Sequence, residues 1–517
     1  MAAAATWLFV APPSGETAPS PDLTLQVMSF NIFYGGDELN LATRQFCHRP
    51  EGCPETLEQV VAVIRASGAD VVALQEAVMN TRTVAEKLGW HFDERNHVIS
   101  RYPLVDPPGA NGQYVFVEPL PGRVVAVSNV HLPAEPYGPY EVRDGATREQ
   151  VLELEEELRV PAISQQVREL PKLAARGIPV FLTGDFNTPS HLDWTAAVAD
   201  VREDVPFAVE WPVSKALAAA GFVDSFRRVH PDPVARPGFT WTPGSPEGER
   251  VEIHDRIDWV LSAGPARALA SRVVGEPGNA NADVQIGPWP SDHRGVVSTF
   301  DVAPAAMPLL VAVASRSLEQ GDPLRVRFHA AGRTGERVAL VPAGGAPGAA
   351  VSSQSTGGAV DGTLSFATSM LAPGSYEAVL LDARGRAVAR SPFWLYERGA
   401  VATVSTSKPF YAVGEPIGVS WTKAPGMKWD WLGVFTAGDN AGNPHASTCS
   451  AGTCGNGHYL LYEYTGASIE GSTTFSATSQ IGYATWPLKP GTYEIRLLLD
   501  DGYRSAASSP RFKIVQP

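Results

Sequence analysis

Cysteine, long apolar runs and clusters of basic residues are all scarce in this chain of 517 residues. A membrane-spanning helix needs about 20 consecutive apolar residues, and the absence of such a run excludes one. The four cysteines form two local pairs, Cys47 with Cys53 and Cys449 with Cys454, which do not supply the matched spacing of a zinc site. Because both pairs lie among turn-forming residues, we predict two small disulfide loops, with free surface thiols as the alternative.

Basic charge is scarcest in the first part of the chain. The net charge is −14, yet the residues from Ala303 onward hold 15 acidic and 17 basic side chains, a net of +2. The remaining 40 acidic and 24 basic side chains precede Ala303, which gives that part a net charge of −16. Nucleic-acid binding normally draws on Lys and Arg, so long nucleic acid is disfavoured as a substrate. The change in charge also predicts a domain boundary near Ala303.

The chain divides into regions of different periodicity. Residues 23–302 alternate β-rich runs with helical stretches, which predicts an α/β domain. Beyond Ala303 the pattern becomes short alternating strands with Gly and Pro turns, and we predict two all-β, Ig-like sandwich modules at residues 309–398 and 399–517. Residues 1–22 are expected to be a disordered leader or the remnant of a signal peptide. Together with the disulfides, this leader favours a secreted or periplasmic protein.

Polar residues follow or flank most of the predicted strands of the α/β domain. If these strands share one sheet edge, their side chains converge in one pocket, although loops also begin with polar residues for no functional reason. Carboxylate and amide oxygens are hard ligands that suit Mg²⁺ or Mn²⁺. No P-loop, dinucleotide fingerprint, HExxH or GxSxG motif is present. The candidate residues are Asn31, Glu76, His131, Asp185, Asn187, Asp258, Asp292 and His293.

Seven short motifs occur in an order and spacing that resemble the endonuclease/exonuclease/phosphatase superfamily. The resemblance covers residues 23–302 and implies a four-layer α/β sandwich that hydrolyses phosphoesters. The expected metal is Mg²⁺, and Mn²⁺ and Ca²⁺ are the alternatives. The motifs are Ser29–Asn31, Leu74–Glu76, Ser100–Leu104, Asn129–Leu132, Gly184–Asn187, Arg256–Trp259 and Ser291–Gly295.

The resemblance also implies a role for each candidate residue. Glu76 is expected to be the principal metal ligand, with Asn31 and Asp292 nearby. Asp185 is expected to orient or activate the attacking water, and Asn187 to hold the phosphoryl oxygens. His293, oriented by Asp258, is expected to contact the scissile phosphate, and His131 to bind phosphate or donate a proton.

Several assignments stay open at this point. Asp255 is a rival for Asp258, and only one of these positions can face the pocket properly in a strand. The repair-nuclease branch has an acid where this chain has Phe33, which weakens the case for that branch. Arg101 could pair with phosphate or make a structural salt bridge. Tyr137 and Tyr140 could form a substrate platform or simply pack.

The sequence therefore predicts a metal-dependent hydrolase of a small or lipid-like phosphodiester or a phosphomonoester. A metal-dependent nuclease is the first alternative. The second is a surface-binding protein in which the β modules do the main work and the α/β domain is silent. Aromatic residues around Trp429–Gly433 and Tyr459–Tyr464 are expected in a sandwich core, with carbohydrate or cell-surface contact as the alternative.

Overall fold

The computed structural model describes residues 23–47, 49, 52–243, 252–439 and 456–516. Between Leu23 and Ala306 the chain forms two seven-stranded sheets and the helices that cover them. The strands are β1 (Leu23–Asn31), β2 (Val71–Gln75), β3 (His91–Asp93), β4 (Val98–Ser100), β5 (Leu104–Val105), β6 (Val115–Leu120), β7 (Arg123–His131), β8 (Val180–Asp185), β9 (Val223–Asp224), β10 (Asp258–Ala263), β11 (Ala266–Gly275), β12 (Val284–Gln285), β13 (Gly295–Val302) and β14 (Ala305–Ala306). The helices are α1 (Pro54–Ser67), α2 (Thr81–Leu88), α3 (Gly138–Arg143), α4 (Arg148–Ala174), α5 (Ala196–Ala199), α6 (Pro212–Ala219) and α7 (Ser225–Val229), besides a 3-10 turn at Tyr34–Gly36.

The two sheets pack face to face between two helical layers. One sheet has the strand order β12-β11-β13-β1-β2-β4-β3, and the other runs β5-β6-β7-β8-β10-β9 with β14 paired to β7. Because successive strand residues point to opposite faces, Val27 lies between the sheets whereas Met28 packs under α1 and α2. Val180 likewise packs on the helical side with α4 and α6, and Phe181 lies between the sheets. The layers are therefore helix, sheet, sheet and helix.

Local sequence explains where the flanking helices begin and end. In α1, Leu57, Val60 and Ile64 recur at helical spacing and form one buried face. Pro54 begins this helix and Gly68 ends it with a φ of 78°, a conformation that glycine adopts without strain. The long helix α4 begins with a capping box formed by Thr147 and Gln150.

Beyond residue 306 the described chain is all β apart from one 3-10 turn at Pro347–Ala349. The first segment has a three-stranded and a five-stranded sheet, and the second has a three-stranded and a seven-stranded sheet. The first segment contains β15 (Leu310–Val313), β16 (Ser317–Glu319), β17 (Leu324–His329), β18 (Arg337–Pro342), β19 (Ser352–Ser355), β20 (Asp361–Phe366), β21 (Gly374–Leu381) and β22 (Ala387–Tyr396). The second contains β23 (Thr403–Thr406), β24 (Phe410–Ala412), β25 (Ile417–Thr422), β26 (Trp431–Thr436), β27 (Leu461–Tyr464), β28 (Gly471–Phe475), β29 (Gln480–Ile481), β30 (Gly491–Leu498), β31 (Ser505–Ser508) and β32 (Phe512–Val515).

Each β segment encloses a core of its own between its two sheets. In the first, Val326 of the smaller sheet and Leu340 of the larger belong to one buried cluster. In the second, Val419 and Ile495 do the same. The same local hydrogen bond occurs within each segment. The hydroxyls of Tyr376 and Tyr493 each donate to the carbonyl four residues upstream in their own segment, over 2.7 Å. Their shared Pro-Gly-x-Tyr sequence therefore makes the same corner twice.

The structure confirms one of the two predicted disulfides. Cys47 and Cys53 are bonded, and the loop they close immediately precedes α1. Cys449 and Cys454 lie outside the described residues, so that pairing stays a prediction. The helices in the described ranges are all too short or too polar to span a bilayer.

Candidate active site

The predicted site residues lie at one edge of the two packed sheets. The register pairs Asn31 with Gln75 across β1 and β2, so that Glu76 follows at the same edge. In the second sheet, Asp185 pairs with His131 on the parallel strand β7 and with Asp258 on the antiparallel strand β10. The carboxyl ends of β7 and β8 and the amino end of β10 therefore meet at one point, as the convergence argument requires.

Asn31 links the two sheets through their carboxylates. Its side-chain amide donates to Glu76 Oε1 over 3.0 Å and to Asp185 Oδ2 over 3.1 Å. The second oxygen of Glu76 accepts from the Tyr34 backbone N–H over 2.9 Å. Asp185 is 1% exposed, and its other oxygen accepts from the Asn187 backbone N–H over 2.9 Å. Asn31 thus fixes both carboxylates by donating to them.

Asp292 adds a third carboxyl group beside Glu76. Burial is the largest cause that raises the pKa of Asp292 to about 7, and the charges of Glu76 and Asp185 act in the same direction. Carboxylates that repel one another in a desolvated pocket favour a bound cation, and an all-oxygen donor set suits Mg²⁺. The residues present therefore fit a divalent metal. Ligand atoms of Asp185, Asp258 and His293 also lie within 4.8 Å of one another.

The partner of His293 is Asp258 rather than Asp255. His293 Nδ1 lies 2.9 Å from Asp258 Oδ2, and its Nε2 lies 3.6 Å from Asp185 Oδ2. Burial lowers the pKa of His293, but the charges of Asp258 and Asp185 outweigh it and raise the pKa well above its usual value. Asp255 instead accepts from the Tyr137 hydroxyl and the Trp194 indole. The hydrogen bond to Asp258 orients the His293 ring.

His131 faces the carboxylates of Asp185 and Glu76. Its Nε2 lies 3.7 Å from Asp185 Oδ2 and 4.0 Å from Glu76 Oε1. Its Nδ1 lies 3.0 Å from Oδ2 of Asp501, a residue of the second β segment. Burial lowers the pKa of His131, but the hydrogen bond and charge of Asp501, with Asp185 and Glu76, raise it to about 9. A distant part of the chain therefore reaches the candidate site.

A cavity of about 290 Å³ opens onto these residues. One wall comes from the α/β domain and includes Leu132, Pro133, Ala134 and Trp241. Arg159 of α4 supports this wall by donating to the carbonyls of Pro133 and Ala134 over 2.9 and 2.7 Å. The opposite wall belongs to the second β segment and consists of Trp431, Tyr459, Tyr462, Tyr464, Asp501 and Tyr503.

The sequence indicated that these aromatic residues lie in the sandwich core, but the structure places them outside it. Along β26, Leu432 and Val434 point into the core, whereas Trp431 and Phe435 belong to a separate cluster on the other face. The same separate cluster holds Tyr459, Tyr462, Tyr464 and Tyr503. Both faces of β26 are apolar because one packs in the sandwich and the other forms the wall of the cavity.

Three predicted substrate contacts lie elsewhere. Arg101 packs over Trp90 and lies 3.5 Å from Asp70, and it is not among the described residues that line the cavity. Tyr137 donates its hydroxyl to Asp255, and Tyr140 donates to Glu252 over 2.7 Å. None of the three is among the described residues that line the cavity, and each has a polar partner within the α/β domain.

The sequence analysis did not single out Trp241, Asp501 or Tyr503. It named the other members of the tyrosine wall, which consists of Tyr459, Tyr462, Tyr464 and Tyr503, but did not place them at this site. Trp241 packs against His293 with ring centroids 4.8 Å apart. Asp501 follows β30 in an Asp-Asp-Gly turn, which reads as an ordinary strand end. For Asp501, the sequence signal was the Asp500-Asp501 pair, which carried no indication of which distant strand it would meet.

Comparison with known proteins identifies the family of the domain that carries this site, a family whose members are hydrolases of phosphoesters. The model of the Endonuclease/Exonuclease/phosphatase family matches residues 28–293, which is more than half of the chain. The chain belongs to this family. An uncharacterised protein of Caenorhabditis elegans is 30% identical over 278 residues, which cover 49% of this chain and 82% of that protein.

The chain is also similar, at lower sequence identity, to several solved structures. A family member from Beutenbergia cavernae is 20% identical, covers 72% of this chain and 100% of its own, and has a TM-score of 0.34. An AP endonuclease from Archaeoglobus fulgidus is 17% identical over 54% of this chain and 100% of its own, with a TM-score of 0.35. A mannosyl-6-phosphatase of Bacteroides thetaiotaomicron is 14% identical over 53% of this chain and 99% of its own, with a TM-score of 0.32.

Proposed function

We propose that this protein is a divalent-metal-dependent hydrolase of small phosphoesters. One observation carries the proposal: Glu76, Asp185, Asp292 and two carboxylate-paired histidines converge on a single cavity. Such a set can hold a metal, activate water and manage the proton of a leaving group. Family membership supports phosphoester hydrolysis, and the side chains support the metal.

Glu76 and Asp292 would hold the metal, with Asn31 fixing Glu76 from behind. When bound, Mg²⁺ supplies charge that polarises the phosphoryl oxygens. Mn²⁺ and Ca²⁺ take the same oxygen ligands and are alternatives.

The remaining residues divide the chemistry between water, phosphate and leaving group. Asp185 can orient and deprotonate the attacking water, because it is held on both oxygens and faces both histidines. His293 can bind a phosphoryl oxygen through Nε2 while Asp258 holds Nδ1. The Asn187 side-chain amide donates one hydrogen bond to the Leu132 carbonyl, and its second N–H can donate to phosphate. His131 can donate a proton to the leaving group through Nε2.

The shape and charge of the site favour a small or lipid-like phosphodiester, or a phosphomonoester. The tyrosine wall closes one side of a cavity of about 290 Å³, and the first 302 residues carry a net charge of −16. Both features oppose a long duplex, so nuclease activity is the second candidate. A silent α/β domain with surface-binding β modules is disfavoured, because the site is intact and the second β segment contributes to it.

The wider organisation follows as part of the same proposal. We assign the catalytic domain to residues 23–302 and two Ig-like sandwiches to residues 309–398 and 399–517. The repeated tyrosine corner supports this assignment. The Cys47–Cys53 disulfide supports a secreted or periplasmic location, where such bonds persist.

A substrate panel on one preparation tests the proposal. In the presence of Mg²⁺, bis(p-nitrophenyl) phosphate, phospholipids, sugar phosphates, nucleotides and plasmid DNA are compared by kcat/KM. We expect turnover of a small or lipid ester with a higher kcat/KM than plasmid nicking. A preference for plasmid DNA would instead establish the nuclease alternative, and no turnover of any ester would contradict hydrolase activity.

A further inference from the structure

We propose that Asp501 of the second β segment is a positioning residue for His131, so that two distant parts of the chain together complete the active site. The inference rests on the proposed function, because it concerns how one histidine of that site is held. It adds that the second β segment is required for the chemistry, beyond any role in attachment or stability.

The contact itself is well defined. Asp501 Oδ2 lies 3.0 Å from His131 Nδ1, although the two residues are 370 positions apart in the chain. The other oxygen, Oδ1, accepts from the Tyr464 hydroxyl over 2.8 Å. The Asp501 side chain is 13% exposed and that of His131 is 16% exposed, so little water competes for the bond. Tyr464 therefore fixes the carboxylate, and the carboxylate fixes the imidazole.

The arrangement parallels the His293–Asp258 pair inside the α/β domain. In both cases Nδ1 meets a carboxylate at about the same distance, 3.0 Å for His131 and 2.9 Å for His293. In both cases Nε2 is left to face Asp185. A carboxylate on Nδ1 selects the orientation of the ring and the position of its proton. The α/β domain supplies this partner for His293, and the second β segment supplies it for His131.

Several contacts hold the turn that carries Asp501 against the α/β domain. Asp500 accepts from the Met79 backbone N–H over 2.6 Å, and its Oδ1 lies 2.7 Å from His97 Nε2. Trp429 stacks on the His97 ring with centroids 4.5 Å apart. A Cβ on Gly502 would lie 2.7 Å from a side-chain carbon of Val78, so a side chain there would require Val78 or the turn to shift.

Polar contacts farther along the same interface also hold the second β segment against the α/β domain. The Lys428 ammonium donates to the Asn129 carbonyl, two residues before His131 on β7. Arg95 donates to the carbonyls of Gly426 and Ala467 over 3.0 and 2.6 Å. The second β segment is therefore anchored at several points around the strand that ends in His131. This anchoring lets a carboxylate from one part of the chain keep a fixed position in the site of another.

The test uses the full chain with Asp501→Asn and two methyl aryl phosphodiesters that differ only in the leaving group. One releases p-nitrophenolate, which leaves without a proton, and the other releases unsubstituted phenolate, which needs one. Loss of an oriented proton donor typically costs about 100-fold or more. We expect kcat for the phenolate ester to fall by about 100-fold and kcat for the p-nitrophenolate ester to change little. KM should be nearly unchanged for both. Tyr464→Phe should give a smaller loss with the same leaving-group dependence.

Asp500→Asn is the matched control, because it changes the neighbouring carboxylate at the same interface but does not contact His131. Any loss from Asp500→Asn should be equal for the two esters. If Asp501→Asn also lowers both esters equally, or neither, Asp501 does not position His131 and the inference is wrong. Failure of the wild-type chain to hydrolyse either ester, or any in the panel, would instead contradict the proposed function itself.

Discussion

Asp185→Asn is expected to lower kcat by about 1000-fold while leaving the melting temperature nearly unchanged. Asp185 is almost fully buried, and both histidines and Asn31 point at its carboxylate. Asn has the same shape and can still accept from the Asn187 backbone N–H, so the fold should persist. It lacks the charge and basicity needed to activate water. Steady-state kinetics and thermal melting on the same sample measure the two effects.

Asp255→Asn is a suitable control for this substitution. Asp255 is also a buried carboxyl group of the α/β domain, and burial raises its pKa to about 7. Its oxygens accept from Tyr137 and Trp194 rather than from groups in the cavity. The kcat of the Asp255→Asn variant should stay close to that of the wild type. A similar kcat for Asp185→Asn and Asp255→Asn, or a loss of activity that follows a loss of folding, would show that Asp185 has a structural role.

Glu76→Gln is expected to raise the half-saturating Mg²⁺ concentration by about 100-fold. Loss of a residue that only supports a metal ligand already lowers metal affinity by about 10- to 100-fold, and Glu76 is expected to be a ligand itself. Glu76 accepts from Asn31 and from the Tyr34 backbone, which hold its carboxylate towards Asp292. Gln removes the charge and places an amide beside one of these donors. A titration of activity against Mg²⁺ gives the shift directly.

Glu397→Gln provides a control of the same chemistry, since Glu397 is exposed in the first β segment. Its Mg²⁺ titration should superimpose on that of the wild type. An unchanged titration for Glu76→Gln, with folding intact, would place the metal away from Glu76. In that case the cluster of Asp185, Asp258 and His293 becomes the better candidate for the metal site.

Much of the fold and part of the site could be predicted from short-range sequence patterns. Strand periodicity and the polar residue after each strand predicted that Asn31, Glu76, His131 and Asp185 converge. They do, but their strands belong to two packed sheets and not to the one sheet that the sequence suggested. Family membership and the Cys47–Cys53 disulfide are confirmed. The Ig-like identity of the β segments, their boundaries and the chemical role of each site residue stay predictions.

The rest depended on contacts that leave no periodic signal. Nothing in the sequence around Asp501 indicates that its partner is His131, since side-chain pairs between separate sheets follow from docking and not from local pattern. The outward face of β26 looked like core because Trp431 is apolar, yet it lines a cavity between two parts of the chain. Arg101 and Tyr137 looked available for substrate until their partners, Asp70 and Asp255, were known.

We expect this chain to hydrolyse phosphoesters through a divalent metal held at the edge of the two sheets. The most direct measurement is turnover of bis(p-nitrophenyl) phosphate by chelator-treated protein, before and after stepwise addition of Mg²⁺. We predict negligible turnover after chelation and a saturable return of activity with Mg²⁺. Turnover that persists fully in the presence of chelator, or that Mg²⁺, Mn²⁺ and Ca²⁺ all fail to restore, would contradict the account.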